Sequence, residues 1–87
     1  MKRHWVMSLY NVGAEDVVYA ATLQELAPSV QVRIPQVRSS AGGCSLSVSN
    51  ADTGAELWRM VAGGDIAINR RSHYADEAAV FFGEAKS

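Results

Sequence analysis

The sequence predicts an α+β domain with the ferredoxin-like order β-α-β-β-α-β, followed by an extra C-terminal helix. Short segments in which apolar and polar residues alternate, a pattern typical of strands, are separated by segments with helix start and stop signals. One strand-to-strand step in the middle of the series is typical of the split βαβ arrangement. The chain has 87 residues, 48% of them hydrophobic, which is enough for one core, so residues 1–87 are predicted to form a single domain.

The first strand and the first helix are predicted to be joined by a short connection. HWVMSLY, residues 4–10, alternates with a period of two and has apolar groups on both sides, which predicts a central strand. Residues 11–13 end it. Residues 14–27 are predicted to be helical because Glu15 and Asp16 fall in the first turn, where acidic side chains complement the helix dipole. The proline that follows is predicted to end this helix.

Two further strands are predicted in the middle of the chain. Residues 30–34 alternate and predict the second strand, and residues 36–43 are predicted to be a loop. From Cys44 to Ser49, three apolar residues alternate with three serines, which predicts the third strand. This alternation is typical of an antiparallel sheet that is covered on one side only.

The last three elements are predicted from caps and periodicity. Thr53 and Glu56 fit a capping box and predict the start of a helix, which Gly63-Gly64 would end. Alternation predicts a fourth strand over residues 66–70, and a last helix is predicted from about residue 75 to residue 85.

The second face of the sheet is predicted to be polar rather than a second core. The three serines of the third strand, together with Gln31 and Arg33, would line it. Periodicity alone leaves open whether the first strand presents Tyr10 or Trp5 on this face. The face is therefore a candidate contact surface.

The C-terminal part of the chain supplies further candidate interaction residues. Arg70, Arg71 and Tyr74 form a basic and aromatic corner after the fourth strand. Phe81 and Phe82 are adjacent in the last helix and need an apolar surface to contact. The helix could fold over an edge of the sheet or pack against a second subunit, and of these two a homodimer is favoured.

Charge and composition exclude several functional classes. The formal net charge of -1 and the pI near 6.0 argue against binding to nucleic acid. No apolar run reaches the ~18 residues of a membrane span, and the first residues lack the apolar core of a signal peptide. The single cysteine cannot form an internal disulfide, so a cytoplasmic location is predicted.

Two interpretations of Cys44 remain open at this point. In the first, Cys44 shares the inward face of its strand with Leu46 and Val48 and is simply packed in the core, as free cysteines often are. In the second, Cys44 is a reactive thiol at the start of its strand, where Gly42 and Gly43 would let another molecule approach.

The loop before Cys44 contains the residues that would support a reactive thiol. Arg38 lies six residues earlier and would favour the thiolate, which is the nucleophilic form. Ser39 and Ser40 could donate hydrogen bonds to it. A single cysteine without a Cys-x-x-Cys partner suits a carrier that passes sulfur to another protein.

Residues 10–74 resemble the small bacterial family of selenium/sulfur-carrier-like proteins. The segments RIPQVRSSAGGCSLSVS and AELWRMVAGGDIAINRRSHY carry the resemblance. The positions that correspond to the family pattern are Pro35, Arg38, Ser39, Ser40, Cys44 and Leu46. The sequence departs from that pattern after the cysteine, where Ser45 replaces the family's glycine. The resemblance implies that Cys44 carries sulfur or selenium for a partner enzyme.

No catalytic, metal or cofactor site is predicted. His4, His73 and Cys44 are far apart in the sequence and lack the spacing of metal ligands. The acidic pairs open predicted helices, where acids stabilise the helix for ordinary reasons. No nucleophile, acid and base combine into a catalytic set, so the chain is predicted not to be an enzyme.

Two functional hypotheses follow from the sequence. The first is a non-enzymatic accessory protein in which Cys44 carries sulfur or selenium to a protein partner. The second is a protein-interaction or regulatory module, for example a dimeric ligand-sensing domain or an inhibitor encoded by a mobile element, in which Cys44 is structural.

Overall fold

The computed structural model of the chain describes residues 4–84. This part of the chain is α+β, with a five-stranded antiparallel sheet and three helices. In chain order, the elements are β1 (Trp5–Asn11), β2 (Ala14–Ala20), α1 (Leu23–Gln31), α2 (Ile34–Arg38), β3 (Cys44–Asn50), β4 (Glu56–Val61), β5 (Ile66–Ile68) and α3 (Ala75–Phe82).

The sheet has the strand order β2-β1-β3-β4-β5, and every neighbouring pair is antiparallel. β1 pairs along its whole length with β2 on one side and β3 on the other. The Cα positions extend over 36 × 31 × 20 Å. The smallest extent corresponds to one sheet layer and one helix layer of ~10 Å each.

All three helices pack on the same face of the sheet. The core contains the inward residues of β1, β3 and β4 together with the buried residues of the helices. The fully buried members with the largest side chains are Met7, Leu23, Leu26, Leu46, Trp58 and Met60. The buried indole Nε1 of Trp58 donates a hydrogen bond to the Gly83 carbonyl oxygen at 2.9 Å, which avoids an unpaired donor in the core.

β1 and β2 form a tight hairpin around Val12 and Gly13. Asn11 pairs with Ala14, so the connection has two residues. Their φ angles are 34° and 84°, and two positive values are the signature of a type I′ turn. Val12 is the one non-glycine residue with positive φ among residues 4–84, so its backbone is strained.

A β-bulge displaces the start of β4. Val48 pairs with Trp58, whereas Ser49 pairs with Glu56, so Leu57 is the extra residue. The bulge lets two consecutive residues, Leu57 and Trp58, both be buried in the core.

α1 is capped and anchored by polar contacts. The Thr22 hydroxyl accepts a hydrogen bond from the Glu25 amide at 3.1 Å, as an N-cap residue does. Pro28 lies inside the helix, which continues to Gln31. After the helix, Arg33 forms an ion pair with Asp16 of β2 at 2.6 Å, which attaches the α1–α2 junction to the sheet.

The predicted β-α-β-β-α-β order is wrong in three places. The helix predicted for residues 14–27 is strand β2 followed by the first half of α1. The strand predicted for residues 30–34 is the end of α1 and the start of α2. The helix predicted from Thr53 is a turn followed by β4. In addition, the loop predicted for residues 36–43 contains most of α2. The α+β class and the antiparallel sheet are the parts of the prediction that the structure confirms.

The other predicted elements are confirmed. Strands were expected at residues 4–10, 44–49 and 66–70, and β1, β3 and β5 lie there, β5 being the shorter. The last helix is α3, which begins as predicted at Ala75 but ends at Phe82, before the predicted end at residue 85, a residue outside the described part of the chain.

Candidate functional site

The face of the sheet that lies opposite the helices is uncovered, and we call it the open face. Along each strand, its residues alternate with the core residues. They are Glu15, Val17 and Tyr19 of β2, Val6, Ser8 and Tyr10 of β1, Ser45, Ser47 and Ser49 of β3, Glu56, Arg59 and Val61 of β4, and Ala67 of β5. No described element packs over them.

Large apolar side chains are exposed on this face. The exposed fractions are 47% for Tyr10, 40% for Val17 and 37% for Val61. Tyr10 and Val61 lie on interior strands, where a residue that is not covered is usually polar, and exposed apolar patches mark contact surfaces. The open question about β1 is thereby settled, because Tyr10 lies on the open face and Trp5 in the core.

The open face has little net charge. Arg59 and Glu56 form an ion pair at 2.7 Å. The hydrogen bond that Arg59 donates to the Glu56 carboxylate and the negative charge of Glu56 raise the pKa of Arg59, and partial burial opposes this shift. Glu15, at the hairpin end of β2, is the remaining charged residue of the face. A surface with one compensated pair can be covered without leaving several charges unpaired.

Side-chain size varies across the open face. Tyr10 and Val17 lie on β1 and β2, on one side of the central strand. The central strand β3 presents three serines, and β5 presents Ala67. The three serines therefore form a flat row in the middle of the face, between the larger side chains of β1 and β2 on one side and those of β4, Glu56, Arg59 and Val61, on the other.

Cys44 is buried, with an exposed fraction of 5%, and belongs to the core cluster. It pairs with Asn11 of β1, and its carbonyl oxygen accepts a hydrogen bond from the Ala62 amide at 3.0 Å. The thiol therefore lies under the helix layer, not on the open face.

The residues before Cys44 have local structural contacts. The Ser39 hydroxyl donates to the Pro35 carbonyl oxygen at 2.9 Å, and the Ser40 hydroxyl donates to that of Gly42 at 3.0 Å. Both hydroxyls therefore bond within their own turns.

The glycine pair does not leave an open approach to the thiol. Gly43 has a φ of 69°, and a Cβ at this position would lie 2.8 Å from Cγ2 of Val12, so the β1–β2 turn closes over it. Gly42 is exposed, and the Arg38 side chain packs beside Gly64 instead.

The C-terminal candidates are divided between surface and core. Arg70, Arg71 and Tyr74 are exposed, and Arg70 pairs with Glu84 at 2.9 Å. Phe82 is buried at 3% and contacts Trp58, with ring centroids 5.6 Å apart, while Phe81 is half-buried. The two phenylalanines thus find their apolar surface within the chain, and Gln31 and Arg33 lie on the helix side rather than on the open face.

The sequence patterns do not predict Val17 or Arg59 for this face. Residues 14–20 contain the signal for β2, because Glu15, Val17 and Tyr19 alternate with smaller or acidic residues. For Arg59, the bulge at Leu57 interrupts the alternation of β4 and hides it.

Within residues 4–84, no group of three His, Cys, Asp or Glu side chains is arranged to hold a metal ion. None of the helices in this range has the length and apolar character to cross a membrane. Comparisons with protein-family models, with curated proteins and with solved structures gave no match.

Proposed function

We propose that the protein is a small non-enzymatic interaction module that acts as a homodimer through its open face. The observation that carries this proposal is the uncovered sheet face with Tyr10, Val17 and Val61 exposed on it. The buried Cys44 fits this hypothesis, in which the cysteine is structural, and the single thiol suits a reducing cytoplasm.

The size of the open face supports a second copy of the chain as the partner. Four strands of six or seven residues, the three-residue β5 and a strand spacing of ~4.8 Å give a face of roughly 450 Å² in projection. The accessible area of a surface covered with side chains exceeds its projection, which brings the face toward the ~800 Å² per partner of a standard interface.

The shape of the open face also supports self-association. A two-fold axis along β3, the central strand, would place the β1–β2 half of one copy over the β4–β5 half of the other. Tyr10 would then face Val61 of the second copy, and Val17 would face Ala67. The serine rows would meet at the axis, where small side chains allow two sheets to approach to ~10 Å.

The carrier hypothesis remains a prediction that rests on an accessible thiol. A sulfur carrier needs its thiolate at the surface, where the partner enzyme can reach it. The position of Cys44 in the core cluster favours the interaction hypothesis over this one.

Sedimentation velocity of matched valine variants tests the proposal. Val17→Lys places a charge within the proposed interface, opposite Ala67 of the second copy and once in each half of the dimer, and we expect it to weaken dimerisation by at least about 30-fold. Val80→Lys is the control, because Val80 is 79% exposed on the helix side of the molecule.

The outcomes separate clearly. A wild-type dimer that persists in Val80→Lys and dissociates in Val17→Lys supports the proposal. A wild-type protein that is monomeric at every concentration, or a Val17→Lys variant that dimerises as well as the control, rules it out.

A further inference from the structure

A groove crosses one end of the molecule, away from the centre of the open face. Two hollows of about 300 Å³ and about 160 Å³ form it, and both are lined by Trp5, Asn50 and Tyr74. The larger hollow lies between the start of β1, the link from β2 to α1, and the start of α3. All of its walls come from one chain.

The floor of the groove is aromatic. The rings of Trp5 and Tyr74 lie with centroids 4.9 Å apart and planes at 76°. Trp5 is buried at 6%, whereas Tyr74 keeps an exposed fraction of 42%, so part of its ring is open to a ligand. An exposed aromatic ring in a concave site is a typical contact for a cation.

Three polar groups that line the larger hollow are available to a ligand. The Asn50 side-chain oxygen accepts hydrogen bonds from the Asp52 and Thr53 amides, which leaves its NH₂ group available. The Glu77 carboxylate and the Tyr74 hydroxyl make no hydrogen bond with the described part of the chain. These groups converge on one space and can bind a ligand without breaking an existing contact.

The groove contains two carboxylates and two histidines. Glu77 and His4 line the larger hollow, and Glu56 and His73 line the smaller one. His4 pairs with Asp52 at 3.2 Å, and the described lining contains no lysine or arginine. Glu56 is neutralised by Arg59, so Glu77 is the carboxylate that a ligand would meet. The Glu77 carboxylate beside the exposed Tyr74 ring is therefore the feature that favours a cation at this point of the groove.

We propose that this groove binds a small organic cation of the alkylammonium class. The ammonium group would lie between the Tyr74 ring and the Glu77 carboxylate, and the Asn50 amide would contact a hydroxyl or carbonyl group on the ligand. A volume of about 300 Å³ is at the lower end of small-molecule sites, which limits the ligand to a compact one. This inference goes beyond the proposed dimer and does not depend on it.

Titration with choline, followed by amide chemical shifts, tests this inference. We expect saturable shifts at residues 4–5, 21–23 and 74–77, with a Kd on the order of 1 mM for so small a ligand. The comparison compound is 3,3-dimethylbutan-1-ol, which has the shape of choline without its charge. We expect it to bind at least about tenfold more weakly if the cation is recognised.

Matched variants locate the site. Glu77→Gln should weaken choline binding by about threefold or more, whereas Asp76→Asn removes the neighbouring carboxylate of the same helix turn and should leave it unchanged. Tyr74→Leu should also weaken binding, with circular dichroism confirming the fold. The monomeric Val17→Lys variant should bind choline like the wild type, because the groove lies within one chain.

Three results would overturn the inference. They are the absence of saturable shifts up to ~50 mM choline, equal binding of the uncharged compound, and equal effects of Glu77→Gln and Asp76→Asn. Dimerisation is measured separately, so the failure of this inference leaves the proposed dimer standing, and the reverse also holds.

Discussion

Cys44 is the first residue of β3 and faces the core. A cysteine that acts as a nucleophile would instead have to be accessible to its partner. Its exposed fraction is 5%, and the turn residue Val12 covers the glycine directly before it. The serines of the preceding loop bond to their own backbone rather than to the thiol. Packing and turn formation therefore account for the contacts of these residues in the Ser39–Cys44 segment, without a role for a reactive thiol.

The burial of Cys44 predicts slow thiol labelling. We expect a thiol-reactive disulfide such as DTNB to label the native protein at least about 100-fold more slowly than the unfolded protein, because the thiol must wait for local opening. Stopped-flow absorbance in buffer and in guanidinium chloride measures both rates. Rapid labelling of the native protein would instead support the carrier hypothesis.

The same burial predicts a cost for a polar replacement. Cys44→Ser leaves a hydroxyl without a partner in the core and should lower the free energy of unfolding by about 1–3 kcal/mol. Cys44→Ala is the control, since it removes the sulfur without adding a polar group. Urea unfolding of both variants gives the difference, and a serine variant that is as stable as the alanine variant would contradict the burial of this side chain.

Among the elements, the β1–β2 hairpin departs most clearly from local preference. Its turn requires positive φ at both central residues, and asparagine or glycine is the usual choice for the first of them. Here the residue is Val12, a β-branched residue with a φ of 34° and an exposed fraction of 75%. The pairing of β1 with its neighbouring strands therefore stabilises a turn conformation that the turn residues themselves do not favour.

Val12→Asn should raise the free energy of unfolding by about 1 kcal/mol, because asparagine adopts positive φ with less strain. Val32→Asn is the control, since Val32 is equally exposed but has an ordinary φ of -68°. Thermal and urea unfolding measure both. A Val12→Asn variant no more stable than the Val32→Asn variant would show that the turn is not strained.

This hairpin also explains why β2 is difficult to predict from the sequence. Asn11-Val12-Gly13 lacks the usual two-residue turn signal, and the acidic Glu15 and Asp16 imitate the first turn of a helix. In the structure, Asp16 instead meets Arg33, a residue that is distant in the sequence. An ion pair between residues that are distant in the sequence produces no periodic pattern from which it could be predicted.

The bulge in β4 conceals a strand in a similar way. Leu57 and Trp58 are adjacent and both buried, which resembles the spacing of a helix more than that of a strand. Thr53 and Glu56 also fit a capping box, which adds to the prediction of a helix. In the structure, however, the Thr53 hydroxyl accepts a hydrogen bond from the Ala55 amide within a turn. By contrast, β1 and β3 alternate without interruption and are predicted correctly.

The same distinction applies to the site. The serine row of the open face is predicted because β3 is regular, but its large apolar neighbours are not, because they lie on β2 or require the strand order to be known. The groove at Tyr74 joins the two ends of the described chain, and no local pattern brings Trp5 and Tyr74 together.

Within residues 4–84, one layer of helices covers one face of the sheet and leaves the other uncovered. The smallest extent of 20 Å has no room for a third layer. A second copy packed on the open face would give a four-layer molecule with helices outside and two sheets inside. The groove would remain accessible at the ends of the sheets, so a dimer could bind one ligand per chain.

Intermolecular NOEs in a mixed sample of isotope-labelled and unlabelled chains show which face of the sheet forms the dimer. The two-fold arrangement predicts NOEs between the Val61 methyl groups and the Tyr10 ring, and between the methyl groups of Val17 and Ala67. Intermolecular NOEs that come instead from Val32 and Val80, on the helix side, would contradict the open face as the interface. So would a sedimentation mass that stays at the 9.4 kDa of one chain rather than twice that value.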